Sequence, residues 1–291
     1  MTQSIPFAEQ NIAGVSLVTR GDLSALEINT DTVSGTVFPY GAHVASWKPA
    51  GFEDVLYMSE LSGLTQGTPI RGGIPVVAPW FGPSDNGLHG WARIQDWTLE
   101  SVSGDSTAVE ATFALAGSAL GGELGDSLKL SYTVHLGSDF WVRLSATNTG
   151  TETIAPELAL HAYWAVDAQA LRIEGIEEGG IDRLADNAQL PAGPFEELSG
   201  QTVDRFYPFA GDIVLVDAGG NRKITLSSEE SDKSVVWNPG TKGSAANADM
   251  PDDAWKHFVC VEATRVREGA PQLAPGESAT LTLHATVEHL G

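Results

Sequence analysis

Residues 127–136 read Ser-Leu-Lys-Leu-Ser-Tyr-Thr-Val-His-Leu. Leu128, Leu130, Tyr132, Val134 and Leu136 fall on one side of an extended chain, with Lys129, Ser131, Thr133 and His135 on the other. A period of two specifies a strand with one buried face, whereas a half-buried helix needs a period of 3.6. Gly137-Ser138-Asp139 turns the chain, and Phe140, Val142, Leu144 and Ala146 alternate again, which predicts a hairpin. Residues 109–115 alternate likewise, as do 213–216, a Gly219-Gly220-Asn221 turn into Ile224 and Leu226, and a last strand at 279–287. No long segment keeps the helical period, and 32 Gly and 15 Pro punctuate the chain. The fold class predicted is all-β, a large antiparallel β-sandwich. With no repeat, low-complexity tract or linker, the 291 residues are expected to form a single domain over 1–291.

The core is assured by a hydrophobic fraction of 42%, but the surface is strongly acidic, with a formal charge of -22. Such a field disfavours nucleic acid and anionic membrane surfaces as partners. It also means that any anionic small substrate needs a local cluster of cations. The single cysteine, Cys260, rules out an intrachain disulfide and suits a reducing compartment, so a cytoplasmic location is expected. Residues 1–10 lack a basic segment followed by an apolar run, so no secretory signal is read there, and no stretch approaches a membrane span. Acidic runs at 174–178 and 229–230 are read as solvated loops.

Four segments depart from strand patterning. Pro69-Ile70-Arg71-Gly72-Gly73-Ile74-Pro75, continuing to Pro79-Trp80-Phe81-Gly82-Pro83, is a rigid irregular loop. Its Arg71 suits an oxyanion, although a merely exposed arginine reads the same. His89-Gly90-Trp91-Ala92-Arg93 with Trp97 offers an imidazole, a guanidinium and two aromatic faces for a sugar, or else a strand entry with core tryptophans. His161 interrupts the apolar run 158–166, as a hydrogen-bonded core histidine or as a general acid at a cleft. In the run 257–266, Glu262 shares a strand face with Phe258 and Cys260. It is either neutralised by Arg265 or Arg267 or is a base with a raised pKa. His-Glu-x-x-His, the phosphate-loop and dinucleotide glycine patterns and Gly-x-Ser-x-Gly are all absent.

Taken in order, these segments resemble the glucose-6-phosphate 1-epimerases of the aldose 1-epimerase, or galactose mutarotase-like, superfamily. The resemblance rests on Gly41-Ala42-His43, Arg71-Gly72-Gly73-Ile74-Pro75, His89-Gly90-Trp91-Ala92-Arg93, Leu160-His161-Ala162-Tyr163, Trp237-Asn238-Pro239 and Cys260-Val261-Glu262. It implies a β-supersandwich and a mutarotase interconverting the α and β anomers of hexose 6-phosphates. His161 would be general acid, Glu262 general base, and Arg71, His89, Arg93 and Asp204 substrate-binding. The acid and base would flank the C1–O5 unit, with His161 held protonated until it donates. Such chemistry needs no cofactor and no metal, its partner is a small-molecule sugar phosphate, and the chain is expected as a monomer or weak homo-oligomer. Gly240 stands where the family commonly carries a bulky aromatic, which suggests a wider pocket, and Lys242 is a further cation nearby. Two alternatives remain open: a neutral-sugar aldose 1-epimerase and a non-catalytic carbohydrate-binding protein.

Overall fold

A computed structural model describes residues 12–117, 124–209 and 211–291. The segment 1–10, in which no secretory signal is read, lies outside them. The alternating runs pair as antiparallel strands. Leu128–Leu136 pairs Phe140–Asn148 on one side and Val109–Ala116 on the other. They belong to an eight-stranded sheet, with Thr98–Gly104 at the edge beyond Val109–Ala116 and, beyond Phe140–Asn148, Ser278–His289, Arg222–Ser227, Ile213–Asp217 and Leu171–Glu174 in that order. The predicted turn at 219–221 and the last strand fall in this sheet.

A second eight-stranded sheet runs Ala188–Leu190, Gly180–Asp182, Val203–Pro208, Lys233–Asn238, Phe258–Arg265, Leu158–Leu160 and Val76–Val77 along its main path. Its eighth strand, Tyr163–Ala165, also pairs Phe258–Arg265. A four-stranded sheet from Val15–Arg20 to His43–Pro49 completes the layers. Leu130, Tyr132 and Val134 of the first large sheet share one core with Trp164, Val236, Val259 and Val261 of the second. The two sheets therefore pack face to face, and burial of each such side chain contributes about 1.5–3 kcal/mol.

This packing decides what the other face of the second sheet does. Along Phe258–Arg265, Val259, Val261 and Ala263 enter the inter-sheet core. Phe258, Cys260 and Glu262 alternate to the opposite face and are buried as well, because loops cover it. The run 158–166 does not form one strand. Ala162 N–H donates to the carbonyl of Leu160, and His161 N–H donates to Pro75, so the chain leaves the ladder for two residues. Such irregularities re-aim side chains beside functional sites. Leu160, Ala162 and Trp164 still face the core, which leaves His161 and Tyr163 on the loop-covered face.

Some expectations are corrected. Glu230 is half-buried: its carboxylate accepts the N–H of Thr282 and the hydroxyls of Thr280 and Thr282, fastening its loop to the last strand. One α-helix, Gly240–Ala246, follows Trp237-Asn238-Pro239. Gly240 does not widen a pocket. At φ 63° it lies against residues 200–201, where an added Cβ would sit 2.5 Å from the carbonyl carbon of Gln201. Lys242 is exposed and lines no part of the cavity described below.

Candidate active site

The loops over the second sheet enclose a cavity of about 420 Å³. Arg71, His89, Arg93, His161, Asp204 and Glu262 all line it. Phe81, Tyr163 and Trp237 supply its aromatic walls. Trp91 and Trp97 do not: both are buried in the inter-sheet core, and Trp97 donates its indole N–H to the carbonyl of Ala92. A larger, open depression of 790 Å³ lies by Asp54, Asp217 and Arg222. There Arg222 donates to Asp217 and to the carbonyls of Glu53, Asp54 and Ala165, and its charge is spent on structure.

The centre of the cavity is His161 and Glu262. Their side chains are 9% and 1% exposed, and Nδ1 of His161 lies 3.4 Å from Oε1 of Glu262. His161 Nδ1 and Glu262 Oε2 are buried without a hydrogen-bond partner among the described residues. The bland alternative for Glu262 does not hold: Arg265 donates to the carbonyl of Thr280, and Arg267 pairs with Glu157. Unsatisfied buried polar atoms are rare and call for a reason. Burial pushes the Glu262 carboxyl well above its ordinary value, and the nearby Asp204 carboxylate adds to the rise. Burial likewise drives His161 well below 6.5, helped by His89, Arg93 and Arg71. Both groups are thus drawn to their neutral forms, so His161 is not a standing imidazolium as expected. The two also sit side by side rather than across from each other.

His89 flanks His161 edge-on, with ring centroids 5.6 Å apart. It stands at φ 62°, where a side chain other than glycine costs of order 1–2 kcal/mol. A reciprocal clamp holds it: His89 N–H donates to the carbonyl of Gly82, and Gly82 N–H donates to Nδ1 of His89. A ring nitrogen that accepts carries no proton, so Nε2 is the N–H of neutral His89. Burial and the surrounding arginines bring its pKa to about 3. The next residue, Gly90, passes so close to the backbone of Ala78 that an added Cβ would lie 1.9 Å from its carbonyl oxygen.

Three guanidiniums line the cavity, in different states. Arg71 donates from Nε to Asp249 at 3.0 Å and from Nη1 to the Tyr163 hydroxyl at 3.1 Å. These partners hold it above the ordinary arginine range although burial acts against its charge. Its loop is rigid because an added Cβ at Gly73 would lie 2.2 Å from the carbonyl oxygen of Val44. Arg183 donates from Nη1 to Asp204 at 2.9 Å. Arg93 donates from Nη2 to the carbonyl of Leu88, but its buried Nε has no partner and no carboxylate pairs with it among the described residues. Burial brings its pKa down to about 10, and the neighbouring Arg71 adds to the fall.

All six residues expected from the sequence therefore meet in one cavity. Arg183, Asp249 and Asn247 were not expected. Arg183 follows a short strand with no marked motif, and Asp249 lies in an acid-rich loop that reads as solvated surface. Nothing local in the sequence announces either one.

Comparison with known proteins adds to this geometry. The family model described as aldose 1-epimerase matches residues 24–286. A Salmonella typhimurium protein named "Putative glucose-6-phosphate 1-epimerase" is 33% identical over 281 residues, covering 94% of this chain and 93% of that protein. An Escherichia coli K12 protein with the same name is 32% identical, covering 91% of each chain. A crystal structure described as a "putative mutarotase (YeaD)" from Salmonella typhimurium superposes with a TM-score of 0.86 at 29% identity, covering 97% of this chain and 96% of that one.

Proposed function

Because the chain belongs to the aldose 1-epimerase family, we propose that this isomerase interconverts the α and β anomers of a hexose 6-phosphate, glucose 6-phosphate foremost. The observation that carries the phosphate is Arg93. Arg71 is answered by Asp249 and Arg183 by Asp204, while His161, Glu262 and His89 are drawn to neutrality. Among the described residues the site thus holds one uncompensated positive charge, on a half-buried guanidinium whose Nε is buried without a partner, beside a second guanidinium. A dianionic phosphate completes it with charge-assisted hydrogen bonds, about twice as strong as neutral ones. The local cation also answers the global charge of -22, which otherwise repels an anion.

The anomeric carbon then lies at His161 and Glu262. Mutarotation removes a proton from the C1 hydroxyl and adds one to the ring oxygen, opening the ring. Rotation about C1–C2 and the reverse transfers close it on the other face. Both oxygens are bonded to C1, so an acid and a base on one wall can serve them. His161 as acid and Glu262 as base share one exchangeable proton between them. With the proton on His161 the pair is the working ion pair; with it on Glu262 the pair is neutral and suits the buried, empty cavity. Neutral His89 donates from Nε2 to a substrate oxygen, and Asp204 accepts from a sugar hydroxyl. The C1–O5 bond breaks and re-forms within the sugar, and the protein supplies only the proton transfers. The reducing cytoplasm suits its buried Cys260.

The test is anomer exchange measured by two-dimensional exchange NMR on glucose 6-phosphate and on glucose. The phosphorylated sugar should exchange with the higher kcat/KM. Faster exchange of glucose would favour the neutral-sugar reading, and no exchange of either would favour a binding protein.

The shared proton makes the pH dependence specific. Activity needs one proton on the pair. As pH falls, it is lost when His161 takes a second proton, which burial and the arginines shift below 6.5. As pH rises, it is lost when Glu262 gives up the last proton, which burial shifts upward. We therefore expect the acid limb of kcat to lie well below pH 6.5 and the alkaline limb to lie above the ordinary carboxylate range. An acid limb centred near 6.5 would show His161 taking its second proton as an ordinary imidazole and defeat the shared-proton scheme.

A further inference from the structure

Arg183 lines the cavity but has no part in the scheme above. The sheet register says where it stands. Asp204 lies opposite Trp237, Trp237 opposite Cys260, and Cys260 opposite Tyr163. One row along, Phe206 lies opposite Val235 and Val235 opposite Glu262. With strands about 4.8 Å apart, the strand of Asp204 is about 10 Å from that of Glu262 and about 14 Å from that of Tyr163. Tyr163 is the residue that holds Arg71. The Arg183–Asp204 pair and Tyr163, which with Asp249 holds Arg71, therefore stand on strands at opposite sides of the cavity, with the strand of Glu262 between them and His161 on the Tyr163 side.

Arg183 is fixed there. Its guanidinium carbon lies 5.3 Å from the ring centroid of Phe81 and 5.1 Å from that of Phe206. Its backbone N–H and its Nη1 both donate to Asp204, at the carbonyl and at Oδ1. Asp204 neutralises it, as Asp249 does Arg71, but Arg71 stands beside Arg93, which no carboxylate pairs with among the described residues, whereas Arg183 is not among the charges acting on Arg93, so Arg183 is not placed to share an anion with it. The pair instead presents guanidinium N–H donors beside carboxylate lone pairs on the cavity wall. A hydroxyl, which both donates and accepts, is the group that satisfies such a wall.

The bond path of a pyranose 6-phosphate gives the rest. From the phosphate it runs C6, C5, O5, C1 and then C2. With the phosphate at Arg71 and Arg93 and C1 at His161 and Glu262, the atom beyond C1 is C2. We infer that Arg183 and Asp204 together read the hydroxyl on C2, Arg183 donating and Asp204 accepting, and that Arg183 thereby sets which hexose 6-phosphate is preferred. This rests on the hexose 6-phosphate reading above.

Anomer exchange on glucose 6-phosphate, its 2-deoxy analogue and its C2 epimer, mannose 6-phosphate, tests it. Wild-type protein should prefer glucose 6-phosphate to the 2-deoxy sugar by at least about tenfold in kcat/KM, because losing the hydroxyl leaves buried polar groups unanswered. Arg183→Met should cost glucose 6-phosphate about tenfold or more and bring the three sugars within about threefold of one another. Arg183→Lys keeps Asp204 neutralised but lacks the planar fork, and it should lose the same discrimination. A wild type indifferent to the C2 hydroxyl, or variants that lose all three sugars equally with their ratios intact, overturn the inference while leaving the function standing. Absence of exchange by the wild type on every sugar phosphate overturns the function, and this inference with it.

Discussion

Glu262→Gln should lower kcat for anomer exchange by about 10²–10⁴-fold, the usual worth of one positioned proton transfer. The substitution keeps the size and the planar polar end of the side chain but removes the group that cycles between acid and carboxylate. It should not unfold the protein, since Glu262 makes no ion pair with Arg265 or Arg267 and its Oε2 has no hydrogen-bond partner to lose. His161→Ala should cost a comparable factor. The double variant should cost little more than either single one, because one shared proton cannot be lost twice. Two-dimensional exchange NMR gives the rates, and far-UV circular dichroism with thermal melting shows whether the fold is kept. A folded Glu262→Gln protein with more than a third of wild-type kcat would take Glu262 out of the mechanism.

The sequence shows some of this architecture and hides the rest, for physical reasons. The strand Leu128–Leu136 was legible because one of its faces meets the core and the other meets water, so burial writes itself as alternation. Phe258–Arg265 has both faces buried, and alternation there separates two buried environments instead. Glu262 stood out only because a carboxylate is costly in such a run. Likewise His161 was visible as a polar residue in an apolar stretch. The break in the ladder that aims it was not, since it depends on the carbonyl of Pro75, far away in the chain. The two tryptophans near Arg93 stayed open between sugar face and core for the converse reason: an aromatic ring serves either, and only the packing of Trp91 and Trp97 decides for the core. Arg183 and Asp249 have meaning only through partners 21 and 178 residues away.

The charges of those partners change what the arginines are expected to do. Both Arg71 and Arg93 resemble phosphate ligands in sequence, but Arg71 already has a carboxylate and Arg93 does not. Arg93→Met should therefore be the more damaging change. With two charge-assisted hydrogen bonds lost, each worth about 1.5–3 kcal/mol, kcat/KM for glucose 6-phosphate should fall by about 10²–10³-fold or more. The loss on glucose should be at least tenfold smaller, because a neutral sugar does not draw on the charge. Arg71→Ala should show the same bias with a smaller total. The substrate-free protein should respond in the opposite sense. A half-buried guanidinium with no carboxylate partner among the described residues is a cost to the free protein, offset only by its hydrogen bond to the Leu88 carbonyl, so Arg93→Met should melt close to wild type, or higher. Inorganic phosphate should raise the melting temperature of the wild type by mass action and leave that of the variant nearly unmoved. Equal losses of kcat/KM on glucose and glucose 6-phosphate, together with unchanged protection by phosphate, would leave a mutarotase whose substrate carries no phosphate.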